Sequence, residues 1–432
     1  MEKQGKIIVI FGPNGSGKTL YVEQMRRQLS SDRVRYLAFI DAYGASTDKS
    51  YYLQLRWNQY DIDSETPCVG ALLDRAYQQS GADTQEHRQL RDHLYSLFGM
   101  KPLLDKYVIL LSSGELRKFH LIKTLLANPK ILILDNPFIG LDAEARCQLN
   151  ELFCTLVAMK SVHLYLVIAR RSDIPDYVDD VHEMGNELTV PDYFSPVFSD
   201  LSPSGSSAPV ANDIIIDMHK VNIRYGERII LRDLDWQVIK GERWALSGQN
   251  GSGKSTLLSL VCADNPQGYA CDIALFGHQR GTGESIWEIK KRIGYVSPEM
   301  HRSYLRDLPT IHVVASGLKD TVGLYIRPTS DDKVLCCKWL RVFGIENLAN
   351  RSFVTLSSGE QRLALVARAF VKNPDLLILD EPFHGLDDRN RQRVRDVIEA
   401  FCHQKEKTLI MVTHYMEELP QCITNHLYLK RQ

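Results

Sequence analysis

The feature that most constrains this chain is a set of four short motifs that occurs twice, in the same order. The first glycine-rich loop, GPNGSGKT, begins at Gly12, and its second copy, GQNGSGKS, begins at Gly248, 236 residues later. The other three pairs lie at a constant spacing of 245 residues. Four motifs in one order at nearly constant spacing indicate a tandem duplication. These three pairs are LSSGE at 111–115 and 356–360, ILILDNPFIGLD at 131–142 and LLILDEPFHGLD at 376–387, and VIARRSDIP at 167–175 and VTHYMEELP at 412–420.

The boundary between the two halves is visible in the composition. Residues 186–212 are rich in Ser and Pro and show little periodicity, which is typical of a linker, and we place the seam near residue 205. We therefore predict a first domain at 1–190, a linker at 191–212 and a second domain at 213–432.

The halves differ at their starts. The second half has about 35 residues before its glycine-rich loop, and their pattern predicts short strands around a Tyr-Gly turn. The first half passes almost directly from Met1 into the strand Lys6–Phe11 and the loop. It is therefore predicted to lack the N-terminal antiparallel β-layer of the second half.

Composition narrows the class of protein. The 52 Lys and Arg residues balance 53 Asp and Glu residues across 432 positions, which gives a net charge of −1. Proteins that coat nucleic acid usually carry a basic excess, so nucleic acid is not an expected partner. No apolar stretch approaches the roughly 18 residues of a membrane-spanning helix, and the N-terminus has no signal-peptide pattern. The nine cysteines are scattered without a Cys-x-x-Cys pair, which predicts reduced thiols in a cytoplasm.

Both glycine-rich loops fit the G-x-x-x-x-G-K-[ST] pattern that binds nucleotide phosphates. The first follows the apolar strand IIVIF and precedes the amphipathic segment LYVEQMRRQL. In that context the glycines let main-chain N–H groups turn toward phosphate oxygens at a helix N-terminus. The lysines would reach the β- and γ-phosphates, and Thr19 and Ser255 would contact Mg²⁺. The predicted ATP-binding residues are Gly12, Asn14, Gly15, Ser16, Gly17, Lys18 and Thr19 in the first loop and Gly248, Asn250, Gly251, Ser252, Gly253, Lys254, Ser255 and Thr256 in the second.

Each half also has an apolar run that ends in a carboxylate, ILILD at Asp135 and LLILD at Asp380. Such a run predicts a buried parallel strand whose Asp lies at the C-terminal edge of a sheet. There the Asp can hold Mg²⁺, directly or through water. The next residue is Glu381 in the second half but Asn136 in the first. A carboxylate at this position can orient an attacking water and accept its proton, whereas an amide cannot.

Two further positions distinguish the halves. His414 in the second half corresponds to Ala169 in the first, so an imidazole that contacts a γ-phosphate is present in one half alone. The loss of both groups predicts that the first site does not hydrolyse ATP, and the predicted catalytic residues are Glu381, His414 and Lys254. Tyr225, in the N-terminal layer of the second half, is placed to stack on an adenine ring.

Together, the glycine-rich loop, LSSGE, the strand with Asp-Glu, the Gly-Leu-Asp turn and the terminal His resemble the ATP-binding cassette (ABC) ATPases. The resemblance covers nearly the whole chain in two copies. Residues 256–299 and 361–386 are similar in particular to tandem cassette proteins of the ModF/PhrA type, found near molybdate-transport genes in bacteria. An α/β fold is expected, with two P-loop NTPase cassettes, each a mostly parallel sheet flanked by helices. A helical subdomain is expected in each, at roughly 60–118 and 300–365.

In that family two cassettes pack head to tail, and ATP lies between the glycine-rich loop of one and the LSSGE segment of the other. The resemblance therefore implies a pseudo-dimer within one chain, which is otherwise monomeric. The competent site would pair the second loop, Asp380, Glu381, His414 and Tyr225 with Ser112, Ser113, Gly114 and Glu115. The degenerate site would pair the first loop, Asp135, Asn136 and Ala169 with Ser357, Ser358, Gly359 and Glu360. Asp142 and Asp387 would lie at the interface and couple the two sites.

Two features depart from the family's pattern. LSSGE replaces the more usual LSGGQ, so Ser113 and Ser358 stand in place of Gly, although a hydroxyl can still donate to phosphate. A Gln is expected after the strand Ile293–Val296, where it links the metal site to the helical subdomain and to a membrane partner. The sequence there is Ser297-Pro298-Glu299. In the first half the same region lies around Asp41, with Gln54 as a candidate.

These patterns predict an enzyme that binds ATP and Mg²⁺ and hydrolyses ATP. One hypothesis is the cytoplasmic ATPase of a transport system for molybdate or another oxyanion, peripheral on the inner membrane face, with integral membrane permease subunits as partners. The missing Gln favours an alternative, a soluble ATPase that acts on a macromolecule without a transporter. A third hypothesis, a nucleotide-dependent regulator with little turnover, is opposed by Glu381 and His414.

Overall fold

A computed structural model shows a chain that divides into two compact units, Met1–Gly185 and Asn186–Gln432. The structure describes residues 5–29, 34–38, 67–79, 83–108, 111, 113–127, 129–138, 141, 143–159, 162–185, 214–226, 228–249, 251–298, 300, 304, 307–321, 327–413 and 415–431. The predicted linker lies outside the described residues, as do the singled-out positions Asp41, Gln54, Ser112, Asp142, Asn250, Glu299 and His414.

The first unit is built on a five-stranded parallel sheet with the strand order β2-β3-β4-β1-β5. The run ILILD forms β3, and its side chains alternate between the two faces. Leu132 and Leu134 pack into one apolar cluster, and Ile133 packs into another. Because the strand is buried on both faces, it shows no alternation of polar and apolar residues. The strands are β1 Ile7–Phe11, β2 Val34–Ala38, β3 Ile131–Asp135, β4 His163–Ile168 and β5 Asp180–Glu183.

Helices flank this sheet. Two of them lie in the segment where an inserted helical subdomain is expected, at roughly 60–118, and a third begins there and ends beyond it. These three, α2 to α4, bury Leu73, Leu94 and Phe119 in the same apolar cluster as Leu132 and Leu134. The helices are α1 Lys18–Gln28, α2 Val69–Gln79, α3 Gln85–Leu97, α4 Ser113–Leu126 and α5 Ala143–Met159.

The second unit contains a parallel sheet with the equivalent order, β11-β12-β13-β8-β14. The run LLILD forms β12, and all five of its residues are buried. Leu377 and Leu379 pack on one face, and Leu376 and Ile378 on the other. The expected pair of buried strands ending in Asp is therefore confirmed. The strands are β8 Arg243–Gly248, β11 Ile293–Val296, β12 Leu376–Asp380, β13 Thr408–Val412 and β14 Asn425–Leu429.

An additional antiparallel sheet, with the order β10-β9-β6-β7, distinguishes the second unit. Its long hairpin turns at Gly226, whose φ of 57° is in the left-handed region that favours glycine. The described residues of the first unit contain no counterpart of this sheet. The strands are β6 Ile214–Tyr225, β7 Arg228–Ile239, β9 Asp272–Leu275 and β10 His278–Gln279.

In the second unit, α8 and α9 lie in the segment expected to hold the helical subdomain, at roughly 300–365, and α10 begins there and ends beyond it. Thr329 begins α9 with a capping box, in which its hydroxyl and the Asp332 carboxylate each accept the other's main-chain N–H. The helices are α6 Lys254–Val261, α7 Ile286–Lys291, α8 Thr310–Ala315, α9 Ser330–Val342, α10 Ser358–Phe370 and α11 Asp388–Cys402. Among the described residues, no helix combines the length and apolar character that crossing a bilayer requires.

Candidate active site

The two glycine-rich loops have the same arrangement around their lysines. Lys18 Nζ donates to the carbonyl oxygens of Gly12 and the next residue, at 2.5 and 2.7 Å. Lys254 Nζ donates to those of Gly248 and the next residue, at 2.7 and 3.0 Å. Each ammonium group therefore lies over its own loop, between a strand and a helix N-terminus. Both loops have the form of a phosphate-binding loop.

Glycine is required at the start of each loop because another strand passes close by. A Cβ at Gly12 would lie 2.4 Å from the carbonyl oxygen of Met184, just after β5. A Cβ at Gly248 would lie 2.4 Å from the carbonyl oxygen of Leu429, at the end of β14. No carbon atom is tolerated at that distance, so the two positions are sterically equivalent in the two units.

The rest of the loops supplies small and polar groups. Gly17 and Gly253 precede α1 and α6 with φ of 85° and 97°, which favour glycine. The Ser252 hydroxyl is buried and has no hydrogen-bond partner among the described residues. Leaving such a group unpaired costs about 1–3 kcal/mol, and a phosphate oxygen would satisfy it. The remaining described residues of the loops are Asn14, Gly15, Ser16, Thr19, Gly251, Ser255 and Thr256, of which Gly15, Thr19, Gly251 and Ser255 are exposed.

The carboxylates Asp135 and Asp380 end β3 and β12, where each is almost fully buried. Around Asp135, the Tyr36 hydroxyl donates to one carboxylate oxygen at 2.9 Å, and Asn136 Nδ2 donates to the other at 2.8 Å. Burial raises the pKa of the Asp135 carboxyl, while the Tyr36 hydrogen bond and the Lys18 charge oppose this rise. Burial and the neighbouring Asp135 raise the pKa of Tyr36, so its hydroxyl remains a donor.

The residues that follow these carboxylates adopt the same unusual backbone conformation. Asn136 and Glu381 have φ of 52° and 49°, a left-handed conformation that costs about 1–3 kcal/mol for a residue other than glycine. The N–H of each donates to the neighbouring strand, Asn136 to Val167 and Glu381 to Val412, both at 2.9 Å. The two side chains therefore start from equivalent positions, and they differ in chemistry: an amide in one unit and a carboxylate in the other.

A buried arginine holds this turn in the second unit. Arg362, on α10, donates to the main-chain oxygens of Ser297 at 2.9 Å, Asp380 at 2.6 Å and Pro382 at 3.3 Å, and also to that of Glu381. Burial lowers its pKa to about 10, against the opposing charges of Glu381 and Asp380, so it is a cation at neutral pH. The guanidinium thus links α10 to the end of β12 and to the segment after β11. The motif analysis missed this residue because its partners are main-chain oxygens.

Strand pairing locates the regions that lack the expected Gln. Tyr36 of β2 and Tyr295 of β11 pair with equivalent isoleucines of β3 and β12. The register therefore makes Ala38 the counterpart of Ser297. In the first unit this region begins at Ala38, three residues before Asp41.

A histidine that the sequence analysis did not single out contacts the proposed catalytic carboxylate. His384 Nδ1 lies 3.1 Å from Glu381 Oε2, and the two side chains are 17% and 19% exposed. The signal was present in the sequence, because the second turn reads EPFHGLD where the first reads NPFIGLD. In the structure these two residues, three apart in the sequence, face each other across the turn.

The LSSGE segments begin α4 and α10. In the second unit Ser357 caps α10: its hydroxyl accepts the N–H of Glu360, whose carboxylate accepts the Ser357 N–H at 2.8 Å. The Ser357 hydroxyl also donates to that carboxylate at 2.8 Å, and Gly359 is buried. In the first unit Glu115 forms an ion pair with Lys106 at 3.2 Å. The other members, Ser113, Gly114 and Ser358, lie in the first turns of these helices.

The segments that follow position 414 and its counterpart, Ala169, are anchored by equivalent ion pairs. Arg391 pairs with the buried Glu418 in the second unit, and Arg146 pairs with Asp173 at 3.0 Å in the first. The second unit adds Thr413, whose hydroxyl donates to Glu418 at 2.7 Å and accepts the N–H of residue 415 at 3.1 Å. Position 414 is therefore flanked by hydrogen-bonded residues, and the counterparts of Thr413 and Tyr415 in the first unit are Ile168 and Arg170.

Two other predicted residues have defined surroundings. Tyr225 ends β6 and packs against an apolar cluster, and its hydroxyl accepts a hydrogen bond from Asn265 Nδ2 at 3.1 Å. Asp387 caps α11 by accepting the N–H of Asn390 at 2.7 Å. Stacking of Tyr225 on a base and coupling through Asp387 remain predictions.

Comparison with known proteins supports the resemblance stated above. The model of the family described as ABC transporter matches residues 2–139 and 231–384. The ABC transporter ATP-binding protein ModF of Escherichia coli K12 is 35% identical over 96% of this chain and 89% of its own length. An uncharacterized ABC transporter ATP-binding protein of Schizosaccharomyces pombe is 27% identical over 97% of this chain and 91% of its own.

Among solved structures, an archaeal ribosome recycling factor in complex with a ribosomal stalk protein aligns with a TM-score of 0.53. Its sequence identity is 17%, and the alignment covers 99% of this chain and 83% of that one, which is a likeness of fold. Two phosphate-binding loops, two buried strands ending in Asp and a family match in both halves lead to one conclusion. This chain belongs to the ABC transporter family, as an ATPase with two ATP-binding cassettes in tandem.

Proposed function

We propose that the two cassettes are unequal and that hydrolysis takes place at the site built on the second glycine-rich loop. The observation that carries this proposal is the shared turn after β3 and β12. Its first residue has the same left-handed backbone and the same main-chain hydrogen bond in both units, yet it is Glu381 in one and Asn136 in the other. Only the carboxylate can accept a proton from water.

The residues around the second loop fit a magnesium nucleotide. Ser255, at the start of α6, and Asp380, at the end of β12, offer oxygen ligands of the kind Mg²⁺ prefers. When bound, Mg²⁺ would neutralise negative charge on the phosphates. The Lys254 ammonium supplies a second positive charge from the protein, and the unpaired Ser252 hydroxyl provides a donor to phosphate oxygen.

The reaction assigned to this site is hydrolysis of the terminal phosphate. A water oxygen attacks the γ-phosphorus as the bond to the β,γ-bridging oxygen breaks, and ADP leaves with that electron pair. Glu381 orients the water and accepts its proton, and His414 contacts the γ-phosphate. In the family's arrangement, Ser112, Ser113, Gly114 and Glu115 close this site from the other cassette. Ser357, Ser358, Gly359 and Glu360 close the first site, which binds nucleotide without hydrolysing it.

As the coupled process, we propose transport, with integral membrane permease subunits as partners and molybdate or another oxyanion as cargo. Support comes from ModF of Escherichia coli, whose name is that of an ABC transporter ATP-binding protein and whose identity extends along nearly the whole chain. The protein would then be cytoplasmic and peripheral on the inner face of the membrane.

A second candidate is a soluble ATPase that acts on a macromolecule. It is favoured by the segment after β11, where Ser297-Pro298 takes the place of the Gln through which the family couples to a membrane partner. Here the buried Arg362 binds the Ser297 carbonyl oxygen and makes the connection to the helical subdomain from within the unit.

The substitution Glu381→Gln tests the proposed site. We expect turnover to fall at least 100-fold while ATP remains bound, because the side chain keeps its size but cannot accept a proton. Asn136→Gln, the matched change in the first unit, should cost less than tenfold. Phosphate release and retention of radiolabelled ATP on the purified chain measure both effects. Hydrolysis at the wild-type rate in Glu381→Gln would refute the assignment.

The same variant tests the coupled process. Purified from its own cells with ATP present, it should hold the ATP-bound state and retain its partner. Recovery of permease subunits that are absent from a Lys254→Ala preparation supports transport. Recovery of ribosomes or soluble proteins without a permease refutes transport and supports the second candidate.

A further inference from the structure

The turn that follows the buried Asp strand is nearly identical in the two units. It reads NPFIGLD from Asn136 and EPFHGLD from Glu381, so five of its seven residues are the same. The two that differ are the first residue and the fourth, which is Ile139 in the first unit and His384 in the second. In the second unit these two residues contact each other.

The turn does not need this contact in order to form. In the second unit the Leu386 N–H donates to the Phe383 carbonyl oxygen at 3.1 Å, and Phe383 is buried. In the first unit the Leu141 N–H donates to Phe138 at 3.4 Å, and Phe138 is buried in the same way. The first residue of both turns is left-handed. The first unit therefore forms these main-chain features with neither a carboxylate nor an imidazole in its turn sequence, so the pair in the second unit is not required for them.

The geometry shows what the imidazole does to the carboxylate. An ionised carboxylate only accepts hydrogen bonds, so the Nδ1 of His384 that faces Glu381 Oε2 at 3.1 Å carries the proton. Both side chains are more than four-fifths buried. The His384 N–H also donates to the Glu381 carbonyl oxygen at 3.1 Å, which fixes the base of the imidazole relative to that of the carboxylate. One carboxylate oxygen is held by this contact, and the orientation of the other is set with it.

We propose that His384 is a positioning residue for ATP hydrolysis, which orients the Glu381 carboxylate toward the attacking water. The inference rests on the proposed role of Glu381 and adds a second residue to it. The proton on Nδ1 stays with the imidazole, while Oε1 of Glu381 accepts the proton from water. Loss of orientation should slow the chemical step and leave nucleotide binding intact, because misplacing a catalytic group by about 1 Å can cost 100-fold in rate.

The test replaces His384 with the residue that the first unit carries. We expect His384→Ile to lower kcat by about 10- to 100-fold, with KM and the Kd for ATP within about twofold of wild type. His384→Gln, which can still donate to Glu381, should recover most of the lost rate. Ile139→His, the reverse change in a turn that lacks the carboxylate, should leave kcat unchanged. Thermal unfolding of each variant shows whether the fold is retained.

A double substitution separates positioning from a structural effect. In the Glu381→Gln background the residual turnover should not fall further when His384→Ile is added, since the group it orients has lost its function. A wild-type kcat in His384→Ile overturns the proposal, and so does an equal loss in both backgrounds. If Glu381→Gln itself hydrolyses ATP normally, the proposed site is wrong. If Glu381→Gln is inactive and His384→Ile is fully active, only the positioning role is wrong.

Discussion

Arg362 donates from its guanidinium group to the carbonyl oxygen of Glu381, the residue on which hydrolysis is proposed to depend. The same side chain binds the carbonyl oxygens of Asp380 and Ser297. Within the second unit, α10, which begins in the LSSGE segment, is therefore hydrogen-bonded to the main chain at the end of β12 and to the segment after β11. Any shift of this helix must move the backbone of Glu381 or break these hydrogen bonds.

We expect Arg362→Met to lower the free energy of unfolding of the second unit by about 3 kcal/mol. The substitution leaves several buried carbonyl oxygens without a hydrogen-bond donor, and each such loss costs about 1–3 kcal/mol before the structure relaxes. Turnover should fall at least tenfold as well. Urea unfolding followed by tryptophan fluorescence reports mainly on this unit, which holds four of the five tryptophans. Lys338→Met, on the exposed face of α9, is the control, and equal stability of the two variants would contradict this account.

The two loop lysines should differ in their effect on the rate. Lys254→Ala is expected to reduce kcat at least 100-fold, because its ammonium group would neutralise charge on the phosphate being transferred. Lys18→Ala removes the same contacts in the first unit and should reduce kcat less than tenfold. Steady-state phosphate release from the two variants gives the comparison. The reverse order would place hydrolysis in the first cassette.

Gly248→Ala should destabilise the second unit by steric conflict. The new Cβ would lie 2.4 Å from the Leu429 carbonyl oxygen and 2.7 Å from Ser252 Oγ, so β8 and β14 must separate. We expect a loss of about 2–3 kcal/mol and weakened ATP binding. Gly277→Ala is the control, since its φ of 80° carries backbone strain of about 1–2 kcal/mol with no atom within 4 Å. Similar unfolding midpoints and ATP affinities for the two variants would argue against the steric explanation.

Tyr225 offers a test of base stacking. Tyr225→Phe removes the hydrogen bond from Asn265 but keeps the ring, so the Kd for ATP should stay within about threefold. Tyr225→Ala removes the ring and should raise the Kd about tenfold, since base–aromatic stacking contributes about 1–3 kcal/mol. Titration calorimetry in the Glu381→Gln background would measure both without turnover. If the two substitutions raised the Kd for ATP equally, the hydroxyl and not the ring would determine the affinity.

The fold was predictable from the sequence where a motif fixes local geometry. The glycine-rich loops, the buried strands that end at Asp135 and Asp380, and the strands before the second loop all follow from apolar patterning and spacing. Arg362 and His384 were not predicted, because both act through the conformation around Glu381. A sequence motif does not reveal that a residue other than glycine, such as Glu381, adopts a left-handed conformation. The carbonyl oxygen and side chain of such a residue point in directions that a helix or strand pattern does not predict. The register that aligns Ala38 with Ser297 likewise required the strand pairing itself.

The turn after β12 is held by main-chain hydrogen bonds, the buried Phe383 and Arg362, and the chemistry proposed for it resides in the side chains of Glu381 and His384. The main-chain structure of this turn and the chemistry proposed for it therefore depend on different groups. After a gene duplication, one copy could therefore lose a catalytic side chain by point substitution while the main-chain hydrogen bond and the buried phenylalanine of its turn are kept. Two substitutions, Asn136→Glu and Ile139→His, would give the first copy the turn sequence of the second.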